Sequence, residues 1–191
     1  MHVVTEGGLN LALNSLEAAK RAAPGDIRHR IDHRTAVDDA GIERARSLGV
    51  TWGITPPRQR PGTVTGAGRY GRTHRYRTLA RHESAIAVLD AAGPGGNYHP
   101  MQGIANMLAE HGDGGAAPPG ESITFEQALR MWTLWPARNN AEDDEKGSIE
   151  TGKFGDLAVL STDPRGLSPL EMHAVTTQAT IVGGQIVYER T

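Results

Sequence analysis

The sequence predicts an α/β fold in which helices cover a parallel sheet and a short all-β segment follows. Over the first 145 residues, short apolar strand candidates alternate with amphipathic helices, and this βαβ order is typical of a parallel sheet. Near residues 140–147 the pattern changes, and turns and strands then follow one another to the end of the chain. We therefore expect two parts, residues 1–145 and residues 146–191.

Local signals define the first helix and the strand after it. Leu9, Leu13 and Leu16 recur at helical spacing, which predicts an amphipathic helix. The pair Pro24-Gly25 ends that helix, because proline cannot continue it and glycine favours a turn. Residues 27–32 then form the first strand candidate.

The next helix lies between two further strand candidates. Asp38 or Asp39 supplies its N-cap, and Gly49 stands where a helix C-terminus favours glycine. Residues 50–55 (VTWGIT) follow as a strand. Residues 85–89 (AIAVL) are a continuous apolar run, which is typical of a strand buried on both faces.

Three further elements complete the prediction. Residues 101–108 favour a helix, and Thr124 with Gln127 forms the pattern of a capping box at the start of another. We expect the apolar face of that second helix to consist of Phe125, Ala128, Leu129 and Trp132. Residues 179–190 (ATIVGGQIVYER) predict a hairpin with a two-residue Gly-Gly turn.

Composition excludes several classes of function. The net charge is −2, which gives no electrostatic footprint for nucleic acid, and there are no cysteines for disulfides or thiolate metal sites. The segment 58–77 is basic and glycine-rich; phosphate binding is one interpretation, and a solvated or substrate-facing loop is the one we favour. We see no signal peptide and no apolar run of roughly 18 residues, so we expect a cytoplasmic protein with no membrane span.

Three side chains are candidate metal ligands: His2, His33 and Asp90. His33 and Asp90 each follow a strand candidate, residues 27–32 and 85–89. The intervals are 31 residues (33 − 2 = 31) and 57 residues (90 − 33 = 57). A barrel of eight βα units in ~250 residues uses about 30 residues per unit, so these positions fit the ends of strands n, n+1 and n+3. Imidazoles and a carboxylate that converge there would bind a divalent metal such as zinc and activate a water molecule. The alternative is that each histidine is simply a surface residue.

Several segments resemble the amidohydrolase-3-type family of the metal-dependent amidohydrolase superfamily. RHRIDH (28–33) resembles the family's Arg-x-x-(Glu/Asp)-His strand, and AVLDAAG (87–93) resembles its Ser/Thr-Asp-Ala strand end. ITFEQALRMWTLWPA (123–137) resembles a family helix, while GSIETGKFGDLAVLS (147–161) and TIVGGQIVY (180–188) match the family's tail most closely. The resemblance covers nearly the whole chain.

The resemblance implies a fold and roles for three residues. The fold would be the C-terminal half of a (β/α)8 TIM-type barrel plus a small C-terminal β-sandwich segment. His2 would be the histidine of strand five, and His33 a metal ligand or substrate-orienting histidine on strand six. Asp90 would be the catalytic aspartate of strand eight, a ligand that also accepts a proton from the nucleophilic water and delivers it to the leaving amine.

The sequence departs from the family pattern in four places. The His-x-His of the first strand and the acidic residue or modified lysine of the fourth are absent. Thr5-Glu6 replaces the usual Gly-Asp after the histidine of strand five, and Leu89 replaces the Ser or Thr before Asp90. The residues present would leave a zinc site incomplete, because catalytic zinc usually has three protein ligands and a water molecule.

The resemblance implies hydrolysis of a non-peptide C–N bond, in an amide or cyclic amide, when the barrel is complete. The alternative is a catalytically inactive barrel fragment, an interaction module or a truncated gene product. We expect a small-molecule substrate and no nucleic acid or membrane partner. An incomplete barrel has open strand edges, so a homo-oligomer or a separate N-terminal half-barrel is also expected.

Overall fold

The computed structural model describes the greater part of the chain. The described residues are 1–3, 5–25, 27–33, 38–54, 75–83, 85–87, 99–110, 117 and 119–191. The first sheet contains three parallel strands: β1 (Arg30–Asp32), β2 (Thr51–Ile54) and β3 (Ala85–Ala87), in that order. Among the described residues, no helix is long and apolar enough to cross a lipid bilayer.

Helices precede, separate and follow these strands. In chain order they are α1 (Glu6–Ala22), α2 (Asp39–Ser47), α3 (Tyr76–Ala80), α4 (Pro100–Leu108), α5 (Phe125–Trp132) and α6 (Leu134–Asn139). The predicted α/β order is therefore present in the described residues. Strand β1 is shorter than expected, since it begins at Arg30 rather than at residue 27.

The C-terminal residues form a separate antiparallel sheet. It consists of β4 (Leu157–Leu160), β5 (Thr177–Val182) and β6 (Gln185–Glu189), with helix α7 (Pro169–Met172) between β4 and β5. The predicted hairpin is confirmed: Gly183 and Gly184 have φ values of 57° and 78°, as a type I′ turn requires. Met172 and Val175 pack into the same hydrophobic core as the parallel sheet.

The predicted helix caps are confirmed, but the predicted apolar face of α5 is not confirmed at every position. Asp38 accepts a hydrogen bond from Gly41 N at the start of α2, and Thr124 and Gln127 form the capping box of α5. In α5, however, Leu129 is 40% exposed, and Met131 is buried instead. The prediction for Leu129 was wrong because the buried face of α5 follows its packing against α4, α6 and β3.

Three short helices were absent from the sequence prediction. Helix α3 begins inside the segment 58–77 that we expected to be a loop, while α6 and α7 each contain a proline within their first turn. Proline is tolerated there, since the first backbone N–H groups of a helix have no partner inside it. Helix α7 also begins with a capping box, formed by Ser168 and Glu171.

A row of buried side chains connects the parallel strands to the core. Ile31 lies beside Trp52, and Trp52 lies beside Ala85, in the registers of β1–β2 and β2–β3. All three are almost fully buried. Laterally paired residues of a parallel sheet point to the same face, so this row is on one face, and the alternate residues of each strand are on the other.

A close contact between Gly103 and Trp132 generates the first prediction. A Cβ atom added at Gly103 of α4 would lie 2.5 Å from Cζ2 of Trp132. We expect Gly103→Ala to lower the free energy of unfolding by about 1–3 kcal/mol, because the added methyl group overpacks the α4–α5 contact. Urea denaturation measures this value. Gly7→Ala in α1, where nothing lies within 4 Å, is the control and should be neutral or stabilising; equal effects at both positions would contradict the packing.

His173, the C-cap of α7, generates a pH prediction. Partial burial, and then the nearby charge of His99, lower the pKa of His173 from its ordinary value of 6.5. Because folding lowers this pKa, the unfolded chain binds the proton more readily. The contribution to stability is constant above about pH 6.5 and is lost as the pH falls towards the lower, folded pKa.

We therefore expect His173→Gln to reduce the loss of unfolding free energy between pH 7 and pH 5. Denaturation curves at several pH values measure this loss. His82→Gln, at an exposed histidine, is the matched control. If the two variants keep the same pH dependence as the parent chain, burial of His173 does not contribute to acid sensitivity.

Candidate metal centre

Residues 1–3 lie alongside β1 and bring His2 to the carboxyl end of that strand. Asp32 N donates a hydrogen bond to Met1 O at 2.8 Å, and Val3 N donates one to Asp32 O at 3.0 Å. This is the parallel pairing in which His2 is the lateral partner of Asp32. Residues 1–3 thus form a short parallel segment that pairs with β1.

His33 ends β1 with an unusual backbone conformation. Its φ is +69°, in the left-handed region that residues other than glycine uncommonly adopt. Its backbone N–H still donates to Gly53 O at 3.0 Å, so the strand pairing continues up to this residue. In an extended strand, His33 would face away from the side chain of Asp32; the positive φ interrupts that alternation.

The two histidine rings are in contact. His2 Nδ1 lies 2.5 Å from His33 Nε2, and the ring centroids are 4.6 Å apart with an interplanar angle of 26°. His2 is exposed and His33 is half-buried, so the pair lies at the surface of this chain. His2 and His33, two of the three predicted site residues, are 31 positions apart in sequence and are in contact at the end of β1.

Asp90 and its neighbour Leu89 lie outside the described residues, so the structure gives no position for the third predicted residue. Most of the basic segment, residues 58–74, also lies outside them. Among the residues that the structure does describe, no three His, Cys, Asp or Glu side chains form a group able to hold a metal ion. The histidine pair is the part of the predicted centre that can be tested against geometry.

The histidine pair suits a divalent metal in chemistry and nearly in spacing. Two nitrogens bound to one tetrahedral zinc, each at 2.0–2.1 Å, are separated by about 3.3 Å. The present distance of 2.5 Å would have to increase, which small rotations of two exposed or half-buried rings allow. Imidazole is the commonest protein ligand for such ions.

Sequence reasoning missed two residues beside the pair, Asp32 and Arg30. Asp32 is a buried polar residue of β1, and Arg30 contacts its carboxylate from two positions earlier on the same strand. The signal was the alternation in RHRIDH itself, because residues 30 and 32 of a strand point to the same face.

Comparison with known proteins identifies the family. The model of the amidohydrolase family matches residues 1–188, so the chain belongs to that family. The chain is 28% identical to an N-substituted formamide deformylase of Arthrobacter pascens, over 100% of this chain and 36% of that protein. It is 25% identical to the putative amidohydrolase YtcJ of Bacillus subtilis (strain 168), over 100% of this chain and 37% of that protein. The chain thus spans little more than a third of these relatives.

Solved structures show the same fold. An uncharacterized metal-dependent hydrolase from Pyrococcus furiosus superposes with a TM-score of 0.61 at 23% sequence identity, over 80% of this chain and 31% of that one. The structural match covers a minor part of the hydrolase, as expected for a partial α/β domain. The predicted family is confirmed by the family model that matches residues 1–188.

The backbone of His33 yields a prediction about strain. Both His33→Gly and His33→Ala remove the imidazole ring, but only glycine adopts a positive φ without cost. We expect the glycine variant to have the larger free energy of unfolding, by about 1 kcal/mol. Thr51→Gly and Thr51→Ala, in the extended strand β2, should show the opposite order, and chemical denaturation of all four variants tests this. The same order at both positions would contradict the left-handed conformation of residue 33.

Proposed function

We propose that this chain supplies two imidazole ligands, His2 and His33, to the divalent-metal centre of a hydrolase that cleaves non-peptide C–N bonds. The observation that carries the proposal is the contact of 2.5 Å between the two ring nitrogens. Backbone pairing of Asp32 with residues 1 and 3 supports it, because that pairing places both rings at one sheet edge. We propose zinc as the cation. We also propose that the protein is located in the cytoplasm.

The proposed reaction class draws on the family and on one relative's name. Removal of a formyl group from an N-substituted formamide, as that name describes, breaks an amide C–N bond. A bound divalent cation would lower the pKa of a water molecule and polarise a carbonyl group. In this chain, His2 and His33 would hold the cation, and Asp90 would take a proton from the attacking water and pass it to the leaving amine.

We propose that the working enzyme is larger than this chain. Residues 1–145 would be the C-terminal half of a (β/α)8 barrel, and residues 146–191 would contribute to a composite β-sandwich. The support is the parallel sheet with its helices and the share of the relatives that the chain spans. The remaining ligands would come from a separately encoded N-terminal half or from a second copy of this chain.

One observation favours a second candidate function, an inactive interaction module. Apolar side chains of the antiparallel sheet are exposed: Val159 (46%), Val182 (52%), Ile186 (62%) and Val187 (61%). Such a module would keep the fold and need no metal. It predicts that loss of either imidazole changes nothing but stability.

Zinc titration of the purified chain by calorimetry separates the two candidates. We expect micromolar binding that His2→Asn and His33→Asn each weaken by about tenfold or more, because one of two protein ligands is lost. Asparagine also tolerates the positive φ at position 33, so the second variant removes the ring and keeps the backbone.

His29→Asn, at a half-buried histidine, and His82→Asn, at an exposed one, change histidines outside the pair; both are controls and should bind zinc as the parent chain does. Absence of binding in the parent chain, both alone and mixed with an N-terminal half-barrel, would refute the metal centre. Equal loss in the control variants would show that zinc binds to surface histidines in general.

A further inference from the structure

Asp32 is a buried residue that has no role in the proposed metal centre so far. Its side chain is only 7% exposed. Oδ1 lies 2.8 Å from Arg30 Nε but accepts no hydrogen bond from any described residue, while Oδ2 accepts one from Arg30 Nη2 at 3.2 Å. A charged group in such a place is costly unless its surroundings compensate it.

The position of this carboxylate relates it to the histidine pair. Asp32 is the lateral partner of His2 on one side and of Gly53 on the other, and it directly precedes His33. Since lateral partners in a parallel sheet point to one face, Asp32 and His2 share a face. Gly53 has no side chain and therefore places no group beside the carboxylate.

The compensation that Arg30 provides is partial. The Arg30 side chain is 40% exposed, so solvent screens its charge, whereas the carboxylate that it contacts is nearly removed from water. One hydrogen bond at 3.2 Å and one ion contact leave Oδ1 with capacity to accept. The face that carries His2 therefore also carries a buried carboxylate, which Arg30 compensates only in part.

We propose that Asp32 is a positioning residue for the metal centre: its buried negative charge favours a divalent cation between His2 and His33 without touching it. Arg30 opposes this effect and thereby sets the affinity. The inference rests on the proposed function, since it takes the histidine pair to be the ligands. The backbone of Asp32 adds a second effect, because its two hydrogen bonds to residues 1 and 3 hold His2 in place.

The test uses two substitutions that affect metal affinity in opposite directions. Zinc titration of the full chain should show that Asp32→Asn weakens binding about tenfold or more, the usual range for residues that support metal ligands. Arg30→Gln should strengthen binding by several-fold, because it removes the opposing cation. A purely structural ion pair gives a different result: both substitutions break the pair, and both then weaken binding.

Two controls keep the test decisive. Arg30→Lys keeps the charge and should bind zinc as the parent chain does, and Arg46→Gln removes an exposed arginine that pairs with Glu43 on α2. If Asp32→Asn fails to fold, the comparison of Arg30→Gln with Arg30→Lys still decides: unchanged or weaker binding in the glutamine variant overturns the inference.

Failure of the inference differs from failure of the proposed function. If the parent chain binds zinc through His2 and His33 and the two charge variants do not shift affinity in opposite directions, the inference alone is wrong. If zinc binding does not depend on His2 and His33, the proposed centre is wrong, whatever Asp32 and Arg30 do.

Discussion

Two backbone hydrogen bonds hold residues 1–3 against β1, and the candidate centre depends on them. They join Asp32 to Met1 and to Val3, so the residue between, His2, has one possible lateral position. At the end of the same strand, the positive φ of His33 breaks the alternation of side chains. The contact between the two rings therefore depends on the pairing of residues 1–3 with β1 and on the backbone conformation of His33.

Burial of one face of the parallel sheet stabilises the position of β1, with which residues 1–3 pair. Ile31, Trp52 and Ala85 form a continuous buried row across the three strands, so the strands cannot slip without exposing that row. The opposite face of β1 carries Arg30 and Asp32, which are polar. One face of the strand therefore stabilises the fold, and the other is left for charge and chemistry.

The sequence predicted those parts of the structure that local chemistry decides. The N-cap at Asp38, the capping box of Thr124 and Gln127, and the Gly183-Gly184 turn each depend on residues a few positions apart, and each is present. The 31-residue interval between His2 and His33 predicted strand ends that lie close together, because parallel strands of a barrel recur with that period.

Other features depend on contacts that no local pattern contains. The exposed position of Leu129 follows from which neighbours α5 packs against, and α7 is too short to produce a periodic signal. The direct contact of the two rings needs the φ of His33, and the importance of Asp32 needs its burial. Neither a backbone angle nor burial in a tertiary contact can be read from spacing alone.

The central claim is that His2 and His33 form one centre, and the coupling between their ring nitrogens tests it most directly. In the ¹⁵N-labelled, metal-free chain, an NMR experiment that transfers magnetisation across N–H···N hydrogen bonds should correlate His2 Nδ1 with His33 Nε2, given their separation of 2.5 Å. Addition of zinc should abolish this correlation and change the ¹⁵N chemical shifts of both rings at the same zinc concentrations. Two rings that show no mutual correlation and respond to zinc independently would contradict the account.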